Sequence, residues 1–212
     1  MSAKKDSAFE VYQYCGDPHS AHAKIIKYVG SRKKVLDVGC NKGYLCKEFK
    51  SNGCFTVGIE ADAESANLAR KFCDNIIVED LEQLKALPYP DKYFDVMVFA
   101  DILEHLKDPA LCLMQLKRYL NPEGLIIVSL PNIARLDIRL NLLFGKFTYQ
   151  DSGILDKTHL RFFTLSSAKR ILESSGFKVV GIDYPGLASK IRIFPTLISF
   201  QFIIIAKLDQ HI

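Results

Sequence analysis

Residues 35–45 read VLDVGCNKGYL, and this stretch decides how the chain is understood. Apolar residues flank Asp37, Gly39 and Gly43 follow four positions apart, and a helical pattern opens at Tyr44. A strand that ends in a tight glycine turn and hands over to a helix makes a site for a nucleotide-like ligand in open α/β sheets.

The turn is a poor holder of phosphate. A dinucleotide site needs glycines spaced G-x-G-x-x-G, and here Cys40, Asn41 and Lys42 lie between the two that are present. The G-x-x-x-x-G-K-[ST] phosphate loop is absent as well. Carboxylates surround the turn instead. Glu60 closes the next apolar run, 21 residues after Gly39, where it can accept hydrogen bonds from two ribose hydroxyls. Asp80 ends a third run, within reach of an adenine amino group, and Glu79 competes for that place. Asp37 repels phosphate and attracts an amine. A nucleoside with a positively charged amino-acid tail satisfies these positions, and S-adenosylmethionine is such a compound.

Outward from the turn, apolar runs alternate with helical patterns. Strands are expected at 34–38, 55–60, 76–78, 94–99 and 125–130, with closing strands at 177–183 and 197–207. Helices are expected from an Asp17-Pro18 cap through Tyr28, at 43–50, from an Asp62 cap over 63–72, from an Asp108-Pro109 cap to Leu120, and at 166–175. Such alternation predicts a parallel sheet with right-handed crossovers and helices on both faces. The rhythm breaks after Pro131. Ile133, Leu136, Leu140, Leu143, Phe144 and Phe147 fall at helical spacing, so 132–163 is expected as an inserted lid or substrate segment within one domain over 1–212. Its apolar face is read as core or lid; a homodimer interface or a membrane-surface helix beside Arg135, Arg139 and Lys146 is the alternative.

With 212 residues, 49 % of them apolar and 25 % charged, the chain has the size and composition of one sizeable α/β domain. The net charge of +4 is far from the basic stripe of a nucleic-acid binder. The six cysteines form no Cys-x-x-Cys pair and have no histidine at ligand spacing beside them, so no metal is expected. That cysteine usage suits a reducing cytoplasm. The apolar run 200–206 is too short to span a bilayer, and residues 1–10 are polar, so neither a membrane span nor a secretory signal is expected.

VLDVGCNKGYL, VGIEAD, IIVEDLEQL, FDVMVFADILEHLKDP and LNPEGLIIVSLPN resemble, in order and spacing, the successive motifs of class I S-adenosylmethionine-dependent methyltransferases. DKTHLRFFT and AKRILESSGFKVV resemble the tail of the methyltransferase-domain 23/11 kind. The resemblance implies a Rossmann-like, doubly wound sheet of seven strands, mostly parallel with an antiparallel last strand. It also implies cofactor contacts from Tyr14, Asp37, Gly39, Cys40, Asn41, Gly43, Tyr44, Glu60, Ala61, Asp80, Leu81, Ala100 and Asp101. One residue departs from the pattern: Asn41 stands where the class usually has a middle glycine, and asparagine tolerates the left-handed backbone such a turn requires.

The catalytic candidates are His105, His159 and Arg161. His105 follows the fourth strand, and an imidazole titrates near neutral pH; a structural or cofactor-side role competes. His159 as base and Arg161 as partner of an anionic group would share a face if THLRFF is extended; a polar anchor for the lid competes equally. Asp101 either meets the methionine part of the cofactor or caps the 102–106 turn. The expected function is O-methylation of a small or saccharide acceptor. A cofactor-binding regulatory partner without turnover and a nicotinamide-dependent oxidoreductase are the alternatives. A nucleic-acid amino-methyltransferase is disfavoured, because FADILEHL occupies the place of its Asn/Asp-Pro-Pro-Tyr/Phe motif.

Overall fold

The computed structural model describes residues 17–186, 188 and 193–209. Seven strands join one sheet in the order β3-β2-β1-β4-β5-β7-β6. They are β1 (Lys34–Val38), β2 (Phe55–Glu60), β3 (Asn75–Val78), β4 (Phe94–Ala100), β5 (Leu120–Pro131), β6 (Phe177–Asp183) and β7 (Gln201–Leu208). β1 pairs in parallel with β2 and β4, β2 with β3, and β4 with β5. β7 runs antiparallel between β5 and β6, which makes the expected seven-stranded, mostly parallel sheet.

The near-continuous apolar strands follow from burial on both faces. Side chains alternate along each strand. Leu36 and Val38 of β1 join Met97 and Phe99 of β4 on one face, under Leu113 and Leu116 of α4 (Pro109–Lys117) and Ala168 and Leu172 of α6 (Leu165–Ser174). Val35, Val96, Val98 and Ile127 pack on the other face, under Ile25 and Val29 of α1 (Ala21–Val29) and Leu45 and Phe49 of α2 (Tyr44–Ser51). Asp37 shares Val35's face, so a carboxylate stands at the end of an otherwise apolar layer.

Two of the three expected caps start helices where the sequence places them. Asp62 accepts from Ser65 N at 2.8 Å at the start of α3 (Ala63–Ala69), and Asp108 accepts from Leu111 N at 3.0 Å. Two expectations are corrected. Asp17-Pro18 does not start α1: the Asp17 carboxylate accepts from His19 N, and Ser20 caps the helix through Ala23 N at 3.1 Å. The last strand begins at Gln201 rather than residue 197, because Pro195 at the first turn of α7 (Pro195–Ile198) suits helix.

Segment 132–163 leaves and rejoins the sheet edge at adjacent points, through the Asn132–Phe163 bridge and Ile133 N donating to Phe163 O at 3.1 Å. It has a small core of its own, Ile138 of α5 (Leu136–Leu143) with Ile154 and Leu155. The apolar face expected as core is instead exposed: Leu143 and Phe144 are 75 % and 74 % exposed. The helix turns Ile138 inward and leaves Leu136 and Leu140 outside. Among the described residues, no helix is long and apolar enough to cross a membrane.

Candidate active site

Strand order reverses between β1 and β4, and the crevice at the carboxyl ends of the strands beside such a switch point is where open α/β sheets bind ligands. A cavity of about 510 Å³ lies there, within the roughly 300–1,000 Å³ typical of ligand pockets. Its walls come from the turn after β1 (Asp37, Gly39, Cys40, Asn41, Tyr44), Glu60 at the end of β2, Ala100 to His105 after β4, and residues 152–159 of the inserted segment. Because β7 is antiparallel, its first residue, Gln201, reaches the same edge opposite Pro131.

The turn is left-handed at three positions, with φ of +74° at Gly39, +48° at Asn41 and +81° at Gly43. Asn41 thus adopts the conformation that its replacement of a glycine requires. The two glycines also permit close packing: a Cβ on Gly39 would lie 2.6 Å from Ile102 Cδ1, and one on Gly43 would lie 3.0 Å from Ala69 Cα. Four backbone N–H groups of the turn are committed within the chain. Gly39 N and Cys40 N donate to Ile59 O, Asn41 N to Glu60 Oε2 at 2.8 Å, and Gly43 N to Cys40 O. They form no open cradle for a pyrophosphate.

The lining is acidic. Asp37, Glu60, Asp101, Glu104 and Asp156 contribute carboxyl groups, and no Lys or Arg stands among the described lining residues. Burial pushes the Asp37 carboxyl up to about 7, with Cys73 adding to the effect and a contact from Cys46 Sγ at 3.4 Å opposing it. Asp101 is also raised by burial, although Ser129 Oγ donates to its Oδ1 at 3.0 Å and Gln201 Nε2 to its Oδ2 at 2.7 Å. Those bonds occupy Asp101, so it does not cap the 102–106 turn, whose start carries no side-chain cap. Burial lowers His22, a lining residue from α1.

His105 and His159 meet edge to face, with ring centroids 4.9 Å apart. Leu160 N and Arg161 N both donate to Glu104 O, at 2.9 and 3.0 Å, which stitches residues 159–161 to the short 3₁₀ turn Leu103–His105. Burial and the neighbouring His159 hold His105 below the ordinary imidazole value. Arg161 is not brought to the cavity. Its guanidinium donates twice to the Lys107 carbonyl, an anchor for the inserted segment rather than an anion site. Asp80 does not line the cavity; its carboxylate accepts from Glu82 N and Gln83 Nε2. Leu81 is buried in the main core, and Ala61 and Gly43 do not line the cavity. Tyr14 lies outside the described residues.

Glu104, His22, Asp156 and Gln201 are lining residues that the sequence reading did not single out. Gln201 left a trace there as the one polar residue in an apolar run, and Glu104 sits in the same EHL as His105. His22 and Asp156 left none.

These features define a Rossmann-like α/β protein whose site suits a cationic nucleoside. A methyltransferase-domain family model matches residues 11–182, and the chain belongs to that family, the class I S-adenosylmethionine-dependent methyltransferases. It is 32 % identical over 109 residues to a ubiquinone biosynthesis O-methyltransferase of Actinobacillus pleuropneumoniae, covering 47 % of this chain and 46 % of that protein. It is 37 % identical over 102 residues to a tRNA U34 carboxymethyltransferase of Nautilia profundicola, covering 46 % and 34 %. The chain thus spans about half or less of the length of these curated relatives. Among solved structures, a SAM-dependent methyltransferase from Archaeoglobus fulgidus superposes with a TM-score of 0.65 at 24 % identity, over 88 % of this chain and 92 % of that one.

Proposed function

We propose that this chain transfers a methyl group from S-adenosylmethionine to an oxygen atom of a small or saccharide acceptor. The observation that carries the proposal is the acidic cavity at the switch point, free of Lys and Arg among its described lining residues and bounded by a turn whose N–H groups at Gly39, Cys40, Asn41 and Gly43 are already used. That lining fits a cationic adenosine compound and opposes a nicotinamide dinucleotide. When bound, S-adenosylmethionine supplies a methyl group made electrophilic by its sulfonium.

The chain's own residues would do the rest. Glu60, held by Asn41 N and Asp62 N at 2.8 Å each, keeps lone pairs for ribose hydroxyls. Asp37, with the carbonyl groups of the turn, supplies negative charge for an amino group. Ala100 and Asp101 border the methionine end. His105, His159 and Glu104 form the far wall, where the acceptor hydroxyl would lie and lose its proton. Holding acceptor oxygen, methyl carbon and sulfur in line while keeping water out accounts for much of the rate, on the order of several kcal/mol. The name of the Actinobacillus relative supports an oxygen acceptor.

Isothermal titration with S-adenosylmethionine tests the proposal. Saturable heat is expected, with Glu60→Ala binding about ten- to a hundredfold more weakly, since hydrogen bonds to a charged group are worth roughly 1.5–3 kcal/mol. A folded protein that gives no heat at millimolar cofactor overturns it.

A further inference from the structure

Glu104 is 1 % exposed, and neither of its carboxylate oxygens has a hydrogen-bond partner among the described residues. Its neighbours in the cavity wall are His105 and His159, and one ligand atom from each of the three lies within 4.8 Å of the other two. The hydrogen bonds of the rings decide what those atoms are. His105 Nδ1 faces Thr158 O at 3.2 Å, and His159 Nδ1 faces Ile154 O at 3.1 Å. A carbonyl only accepts, so each Nδ1 carries the hydrogen and each Nε2 keeps its lone pair. Thr158 Oγ1, 3.4 Å from His105 Nδ1, donates to Asp156 Oδ1 at 2.7 Å and can accept from the ring.

Two imidazoles and a buried carboxylate therefore converge, each ring with its Nδ1 set against a backbone carbonyl and its Nε2 left to bind. That second layer is the one that orients metal-ligating histidines. An unpaired carboxylate in such a place is destabilising, and a cation between the three groups removes the cost. We infer that Glu104, His105 and His159 bind one divalent first-row transition-metal ion, which holds the acceptor oxygen at the methyl-transfer site.

The donor set selects the ion. Two imidazole nitrogens with one carboxylate suit Mn²⁺, Fe²⁺, Co²⁺ or Zn²⁺, whereas Ca²⁺ and Mg²⁺ prefer oxygen throughout. Three protein ligands leave positions open, as catalytic sites do, and all three line the cavity. The acceptor role rests on the methyltransferase reading; the ion site itself does not. A bound divalent ion lowers the pKa of a water it ligates toward the neutral range, and a ligated hydroxyl is acidified in the same way. Its proton leaves to solvent, the oxygen's electron pair forms the C–O bond, and the C–S pair stays on sulfur to give the neutral thioether.

The spacing of the sequence hides this site, because His159 is 54 residues from His105. The test uses the full chain, stripped with chelator, dialysed against Mn²⁺, Co²⁺ or Zn²⁺, and assayed by elemental analysis. One equivalent per chain is expected, with at least tenfold weaker retention in Glu104→Gln and His159→Gln and unchanged retention in Glu123→Gln, which lies outside the cavity. No retention, or equal retention in all variants, overturns the site. Should the variants fail to fold, the wild type decides. Pulsed electron paramagnetic resonance of the Mn²⁺ form should show two imidazole nitrogens. A Co²⁺ spectrum with a thiolate charge-transfer band would place the ion at cysteines and overturn the site. Titration of the stripped protein with S-adenosylmethionine separates the two ideas: cofactor heat without metal retention sinks the ion site alone, and metal retention without cofactor heat sinks the methyltransferase reading alone.

Discussion

Gly39→Ala tests how the turn holds the site together. Two costs add at this position. The backbone is left-handed, with φ of +74°, which costs a residue with a Cβ about 1–2 kcal/mol. The new methyl group would also lie 2.6 Å from Ile102 Cδ1 and 2.7 Å from Cγ1, an overpacking worth about 1–3 kcal/mol. The expected loss is about 2–5 kcal/mol, a large part of the 5–15 kcal/mol that holds an ordinary domain folded. Gly145→Ala isolates the first cost: its φ is +70°, it closes α5 with the hydrogen bonds of a left-handed helix end, and nothing lies within 4 Å of its would-be Cβ, so a loss of about 1–2 kcal/mol is expected. Ile102→Ala isolates the second, because it removes the two closest atoms and leaves only Cβ, at 3.2 Å. Urea denaturation followed by far-ultraviolet circular dichroism gives the four free energies of the cycle. The double variant should be more stable than the sum of the singles by about 1–3 kcal/mol. Additive singles, or a Gly145→Ala loss equal to that of Gly39→Ala, would refute the packing argument.

Asp37→Asn should expose the electrostatic cost of the buried carboxyl. Its folded value of about 7 exceeds the ordinary 3.8, so the neutral acid contributes fully below pH 4 and its contribution falls as pH rises toward 7. The stability difference between wild type and variant should therefore change by about 4 kcal/mol across that window, and a flat difference in denaturation measured at several pH values contradicts the burial argument. Asn41→Gly should shift stability by less than about 1 kcal/mol, since asparagine already tolerates φ of +48° and glycine loses more entropy on folding. Cofactor affinity should stay within about threefold by calorimetry; a tenfold gain would mean that asparagine obstructs the turn.

The sequence by itself determined the sheet, the turn and the sign of the ligand's charge. Strand runs such as FDVMVFA carry their own evidence, because a strand covered on both faces is apolar at nearly every position. VLDVGCNKGYL does too, because left-handed turns restrict which residues can occupy them. The same local signals failed at Asp17-Pro18, where Ser20 competes for the cap, and at α5, where periodicity marks an apolar face without saying what covers it. The roles of side chains past residue 150 were decided only by the tertiary structure. Arg161 and His159 are two positions apart, yet one clamps the Lys107 carbonyl and the other enters the cavity. Glu104, His105 and His159 meet because backbone hydrogen bonds carry the inserted segment back onto the turn after β4. Contacts between residues more than fifty positions apart depend on how the chain is folded back, and local spacing carries no record of that.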